Sequence, residues 1–314
     1  MGIVPGREYL TKLKKIIIPQ FTELPNRKIL HLNMSNGVTD QAGRQVFLPA
    51  FPQKIISTVP SQTELLFDLG LDAEVIGITK FCVHPARWKS SKANIGGTKK
   101  LNIEKIKSLQ PDLIIANKEE NTKEQIDELS ENIPVWVSDV KNLDDALSMI
   151  HYIGEITGRK ENALKIIGEI TSAFEILPKA DSKKSVLYLI WRKPWMTVGA
   201  DTFIHDMISR CGLQNACDKK FRYPELTGEE ISRLNPGYIF LSSEPYPFAE
   251  KHIAELKSLC PSSGIFLVNG EYFSWYGSRL VHAASYFKIL LAEIFSDKSE
   301  NSQKSLTQRY RGTE

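Results

Sequence analysis

The sequence predicts an α/β protein of two sister lobes, each built on a mostly parallel sheet, joined by a single long, rigid α-helix. Three observations carry that expectation. Between about residues 54 and 296, short apolar runs alternate with amphipathic stretches, the pattern of strands and helices layered around parallel sheets. One helix-to-strand unit occurs twice, at a constant offset of 125 residues. Between the two copies lies one isolated amphipathic segment, Glu161 to Lys179.

In the first half, strands are expected at Lys54 to Val59, Glu74 to Ile78, Asp112 to Ala116 and Pro134 to Ser138, with helices beginning near Ser61, Asn102 and Thr122. In the second half, strands are expected at Ser185 to Trp191, Tyr238 to Ser242 and Ile265 to Val268. Helices there are expected over roughly Asp201 to Cys211, Thr227 to Leu234, Ala249 to Leu259 and Ser278 to Phe295.

The repeat aligns Asn102-Ile-Glu-Lys-Ile-Lys-Ser-Leu-Gln-Pro-Asp-Leu-Ile-Ile with Thr227-Gly-Glu-Glu-Ile-Ser-Arg-Leu-Asn-Pro-Gly-Tyr-Ile-Phe. Glu104 falls on Glu229, Ile106 on Ile231, Leu109 on Leu234 and Pro111 on Pro236. In each copy an N-cap residue, Asn102 or Thr227, opens a short helix, and a proline ends it before a buried strand. The matching positions are those that cap, bury and terminate, which favours two similar lobes. In the intervening segment Ala163, Ile166, Ile167, Ile170, Phe174 and Leu177 recur at spacings of three and four, one apolar stripe on a helix of about five turns, on the order of 27 Å long. Such a helix either joins the lobes or is a crossover inside one larger sheet.

With 314 residues the chain is long enough for two domains. Lys+Arg 40 against Asp+Glu 37 gives a net charge of +3 with both signs interspersed, which makes no case for a nucleic-acid partner and favours a small or neutral one. The cysteines, Cys82, Cys211, Cys217 and Cys260, form no CxxC pair and have no zinc-site spacing. The chain has no run of 18 apolar residues. Lys12, Lys14 and Lys15 precede Ile16-Ile17-Ile18, but Pro19 stops that run and no small-residue cleavage site follows, so no export signal is expected there. From Asp297 to Glu314 the composition is that of a disordered tail.

None of the sequences GxSxG, HExxH, GxxxxGK[ST] or GxGxxG occurs, and no two histidines lie three or four residues apart, so neither catalytic nor metal-ligating residues are expected. His84 stands out, in the loop Lys80-Phe81-Cys-Val-His-Pro85 just after a strand, where α/β proteins place ligand contacts. A structurally hydrogen-bonded loop histidine is the plainer alternative. Trp191-Arg192-Lys193-Pro194-Trp195 and Tyr272-Phe273-Ser274-Trp275-Tyr276-Gly277-Ser278-Arg279 also follow strands. Broad aromatic faces and guanidinium groups together suit a ring-bearing, anionic ligand, unless the rings merely pack beneath their loops. Glu104 and Glu229 each sit in a first helical turn, where the helix dipole alone accounts for them. As equivalents in two lobes, they also present one carboxylate from each half to a symmetric, arginine-bearing partner.

These residues resemble a known family, the periplasmic-binding-protein-like receptors with a helical backbone that deliver cobalamin, haem or ferric siderophores to ABC importers. Asp40-Gln-Ala-Gly-Arg44-Gln-Val-Phe-Leu-Pro looks like the family's N-terminal hairpin, Lys54-Ile-Ile-Ser-Thr-Val-Pro-Ser61-Gln-Thr-Glu64 its opening strand and first helix, and Leu101-Asn-Ile-Glu104 through Pro111-Asp-Leu-Ile-Ile its most recognisable stretch. The resemblance covers about residues 38 to 295 and is nearest to the cobalamin-binding branch. It implies a class III periplasmic binding protein: an extension over 1–37, Rossmann-like lobes over 38–158 and 181–296, a linking helix over 159–180 and a tail over 297–314.

The resemblance further implies a binding protein and not an enzyme, with no resident cofactor and with cobalamin or another metal chelate as cargo. Phe81, His84, Trp191, Arg192, Trp195, Tyr272, Phe273, Trp275 and Arg279 would line the interlobe cleft, and Glu104 and Glu229 would dock an ABC permease dimer. The receptor would be a monomer outside the cytoplasmic membrane, with cytoplasmic residence as the alternative where no signal precedes it. Asn117 and Ile190 depart from the aromatic residues of the cobalamin branch, and Arg192, Lys193 and Arg279 suit an anionic chelate such as a ferric siderophore as well as a corrin. The rival functions are a cytosolic chelate-handling protein and a metal-dependent enzyme using the same cleft, for which Cys82 and His84 are the nearest pair of ligands.

Overall fold

The parallel strands sort into two separate sheets. The computed structural model describes residues 37–178 and 184–296. The expected extension before residue 37 and the expected tail after 296 lie outside the described residues, as do 179–183 at the end of the expected link. A small antiparallel hairpin comes first, β1 (Val38–Thr39) with β2 (Gln45–Val46), where the resemblance placed one. Asp40 holds its turn by accepting hydrogen bonds from the Ala42 and Arg44 amides at 3.0 and 2.8 Å.

The first sheet runs in the order β5-β4-β3-β8-β9, all parallel, from β3 (Ile55–Ser57), β4 (Val75–Ile78), β5 (Ala93–Asn94), β8 (Leu113–Asn117) and β9 (Val135–Ser138). Its helices are α1 (Pro60–Asp68), α2 (Trp88–Ser91), α3 (Ile103–Leu109) and α4 (Lys123–Ser130), and a glycine hairpin, β6 (Gly96–Gly97) and β7 (Lys100–Leu101), leads into α3. Two longer helices follow, α5 (Leu143–Ile156) and α6 (Lys160–Glu175).

The second sheet is centred on β10 (Ser185–Trp191), parallel to β14 (Tyr238–Ser242), which is parallel to β15 (Gly264–Val268). On the other side β11 (Trp195–Thr197) and β13 (Glu225–Leu226) add antiparallel, and β12 (Gln214–Asn215) pairs with the start of β10. Its helices are α7 (Phe203–Arg210), α8 (Gly228–Leu234), α9 (Lys251–Leu259), α10 (Gly270–Ser274) and α11 (Leu280–Ser296).

Alternation along the central strands explains why both sheets are covered on both faces. Leu113 and Ile115 enter one apolar cluster while Ile114 and Ala116 enter another; Val186 and Tyr188 separate from Leu187 and Leu189 in the same way. One cluster is shared. It takes the inner face of each sheet together with Leu65 of α1, Ile150 of α5, Ile167 of α6, Met207 of α7 and Phe287 of α11. The lobes are thus joined through packed side chains as well as through the chain.

The duplicated unit is present in both halves. Asn102 accepts a hydrogen bond from the Lys105 amide, and Thr227 one from the Glu230 amide. Each helix ends in a left-handed residue, Gln110 (φ 48°) or Asn235 (φ 39°), ahead of its proline. The proline therefore acts through its predecessor, which it bars from the right-handed helical region.

Helix α6 carries the expected stripe, with Ala163, Ile166, Ile167 and Ile170 buried and Phe174 packed beside them. It spans 16 residues, about 24 Å at 1.5 Å per residue, shorter than the five turns expected, and Leu177 is buried just past its end. It packs against α5 and α11. Helix α5 was absent from the helices expected above, although Leu143, Ala146, Met149, Ile150 and Ile153 form a buried stripe behind an Asn142 cap. Gly154 lets α5 meet α6: a Cβ there would lie 2.3 Å from the Ala163 Cβ.

Candidate functional site

In each lobe the loops leaving the carboxyl ends of the parallel strands carry the polar and aromatic residues, and the two sets of loops face one another. That is where open α/β sheets offer a crevice. On the first lobe they are the segments after β3, β4 and β8; on the second, those after β10, β14 and β15. Contacts cross between them at three places.

The first lies under α1. Arg279 donates to both carboxylate oxygens of Glu64, at 2.9 and 2.7 Å, and to Glu271 at 2.9 Å. Ser278 donates to Asp68. A Cβ on Gly277 would lie 2.5 Å from the Ser61 carbonyl oxygen, so only glycine permits this approach. Burial pushes the Glu64 carboxyl above its ordinary range despite the arginine, and burial does the same to Asp68.

At the second, His84 Nε2 stands 3.5 Å from Glu271 Oε2, and its ring meets Trp275 edge-on at 5.7 Å. The Glu271 carboxylate raises the histidine's proton affinity against the opposing effect of burial. Burial works to raise Glu271, but His84 and Arg279 together hold it below its usual range. At the third, Glu119 pairs with Arg222 at 2.5 Å and accepts from the Tyr223 hydroxyl at 3.0 Å.

Equivalent turns present the acidic residues. After β8, the Asn117 side chain accepts hydrogen bonds from the Glu119 and Glu120 amides at 2.8 and 3.0 Å, fixing that turn. After β14, the Ser242 hydroxyl donates to the Glu244 carbonyl at 2.6 Å. The repeat offset of 125 residues carries Asn117 onto Ser242 and Glu119 onto Glu244. Burial raises the proton affinity of both Glu120 and Glu244.

The residues expected to line the cleft divide. His84, Tyr272, Trp275 and Arg279 come together, with Arg279 5.0 Å from the Trp275 ring centroid and 6.0 Å from that of Tyr272. Tyr272 also stacks on Tyr286 at 4.7 Å. Phe81 and Trp191 are exposed, at 52% and 40%, on loops following β4 and ending β10. Trp195 is partly buried against Phe248, in parallel planes at 6.2 Å. Phe273 is a correction: it is wholly buried against Tyr188, Phe240 and Phe287, so it supports the loop and offers no surface to a ligand. Arg192 is another: Glu255 of α9 holds it through two hydrogen bonds, and it leans over Trp195 within its own lobe.

Glu104 and Glu229 are exposed at the second residue of α3 and α8. Cys82 and His84 do not converge. The Cys82 thiol is buried against Thr63 and Thr79, with its pKa pushed up by burial, while His84 turns to Glu271. Sequence reasoning missed Glu119, Glu120, Glu244, Glu271 and Tyr223. The repeat, extended past its strands, was the available signal for Glu119 and Glu244. Asn117, noted as a departure, is a buried residue that shapes a turn.

The chain matches known proteins over most of its length. A family model described as periplasmic binding protein matches residues 55–258. An uncharacterized ABC transporter substrate-binding lipoprotein of Bacillus subtilis is 30% identical over 213 residues, covering 64% of this chain and 67% of that one. A vitamin B12-binding protein of Pectobacterium atrosepticum is 26% identical over 255 residues, covering 78% and 90%. Among solved structures, the periplasmic haem-binding protein HutB of Vibrio cholerae superposes with a TM-score of 0.66 at 20% identity, covering 76% of this chain and 98% of that one. With its two parallel sheets, helical joint and facing loops, the chain belongs to the periplasmic binding protein family, in the class III architecture of the substrate-binding components of ABC transporters.

Proposed function

We propose that this chain is the substrate-binding component of an ABC importer, taking a corrinoid or metal chelate such as cobalamin, haem or a ferric siderophore between its lobes and delivering it to a membrane permease. The observation that carries this is the pair of facing loop sets at the strand carboxyl ends, which place His84, Tyr272, Trp275 and Arg279 together with Phe81 and Trp191 exposed nearby. The names of the relatives support the cargo class, and the packed joint supports a gap that changes little on binding. The lobes are residues 38–158 and 181–296, linked by 159–180, and the receptor works as a monomer outside the cytoplasmic membrane. Among the described residues no helix is long and apolar enough to cross a membrane. The site binds without transforming its cargo.

Glu104 and Glu229 dock the permease dimer. Both project from the first turn of capped helices that are equivalent by the repeat, which is the support for that role. Replacing both, Glu104→Arg with Glu229→Arg, is expected to abolish uptake in a transport assay while chelate affinity, read by tryptophan quenching, stays within about twofold. Uptake that survives the double variant removes the docking assignment. For the cargo itself, saturable quenching by cobalamin, haemin or a ferric chelate is expected, and its absence with all of them removes the binding function.

A further inference from the structure

The arginines and the histidine of the cleft are already paired with carboxylates, while two of its own carboxylates form no ion pair among the described residues. Arg279 is divided between Glu64 and Glu271, Arg222 between Glu119 and Asp201, and His84 faces Glu271. Glu120 comes from the first lobe and Glu244 from the second. Glu244 Oε1 accepts only neutral donors, the Ser274 hydroxyl at 2.8 Å and the Trp275 indole at 3.0 Å. The cation that acts on Glu120 is Lys99, whose ammonium donates to the Glu119 backbone carbonyl. Glu120 and Glu244 also repel one another across the gap.

A second observation is independent of these acids. Tyr276 is 7% exposed and its hydroxyl is buried without a hydrogen-bond partner; Ser61 is its neighbour but does not complete the geometry. That hydroxyl lies in the field of Glu120, Glu119 and Tyr223. A buried hydroxyl left unmatched is costly, and a polar group of a ligand would match it. Exposed Phe81 and Trp191 add apolar faces on the loops after β4 and at the end of β10, Trp191 meeting the ring of Tyr246 in the loop after β14.

We propose that the cleft selects a chelate or corrinoid of net positive charge, with Glu120 and Glu244 receiving its charged or N–H-bearing groups from opposite lobes, and that it discriminates against anionic chelates. This rests on the cleft function proposed above and reverses the anionic preference that the sequence suggested. The reason is that Arg192 and Arg279, two of the three cations expected to hold an anion, are held by Glu255, Glu64 and Glu271.

The test is a charge series on the purified full chain, read by tryptophan quenching and calorimetry: cationic ferrioxamine B and aquocobinamide, neutral ferrichrome, anionic ferric enterobactin and haemin. The cations are expected to bind at least about tenfold more tightly than the anions at low ionic strength, and the gap is expected to narrow in high salt. The double variant Glu120→Gln with Glu244→Gln is expected to weaken cation binding about tenfold and to narrow the gap between cations and anions. Lowering the pH is expected to weaken cation binding in the wild type as Glu120 and Glu244 protonate. Lys99, Glu119, Glu271, Tyr223 and Tyr276 face them there. Anions that bind more tightly than cations, or a double variant that binds cations as the wild type does, overturn the charge assignment while the cleft function stands. Binding by none of the five overturns the charge assignment, and failure of cobalamin as well overturns the cleft function. The wild-type series needs no variant to fold.

Discussion

At the scale of single residues, the site is a set of charges that neutralise one another across a gap. Arg279 is the centre of that set, because removing it leaves Glu64 and Glu271 close together with no guanidinium between them. Arg279→Met is expected to destabilise the protein by roughly 3 kcal/mol in urea unfolding, the cost of uncompensated buried charge. Glu64→Gln is expected to cost much less, since burial already favours its neutral form. The His84–Glu271 contact has a defined pH window. His84 binds its proton more tightly in the folded chain, so its contribution is complete below its unfolded pKa and is lost as pH rises through the raised folded value. Glu271 is lowered, so its part is lost as pH falls through the depressed value. His84→Gln should therefore melt below the wild type between those limits and match it on the alkaline side, as thermal scans across pH will read. The aromatic and basic residues of these loops were legible in the sequence because they cluster after apolar strands. Their partners were not, because Glu64 and Arg279 meet only when α1 and the segment after α10 fold together.

At the scale of elements, strands were the most legible part. Runs such as Ser185–Trp191 and Tyr238–Ser242 coincide with the expected bounds because a strand buried on both faces is apolar throughout and stops where polar turns begin. Helices α3 and α8 were legible through their caps. Helix α5 was not read, although its periodicity was available and Gly158, at φ 71°, marks the break between it and α6. Their closeness depends on Gly154. Gly154→Ala is expected to lower stability by about 1 to 3 kcal/mol by overpacking Ala163, measured by urea unfolding with an unchanged m value. The antiparallel additions β11 and β13 were also missed, since two- and three-residue strands carry too little pattern to detect.

For the whole molecule, duplication explains more than the lobes' similarity. The same offset of 125 residues that pairs Glu104 with Glu229 pairs Asn117 with Ser242 and Glu119 with Glu244, so outer faces and cleft turns repeat together. What does not repeat is the joint, where α5, α6, α7 and α11 share one core with both sheets. A joint so packed resists bending, and a ligand is expected to meet a gap near its final width. Hydrogen exchange of the full chain, with and without a saturating chelate, tests the central claim most directly. The account predicts protection on both lobes at the loops after strand carboxyl ends, residues 79–87, 117–121, 243–248 and 269–279, with α3 and α8 unchanged. Protection on one lobe alone, or on the outer helices instead, would contradict it.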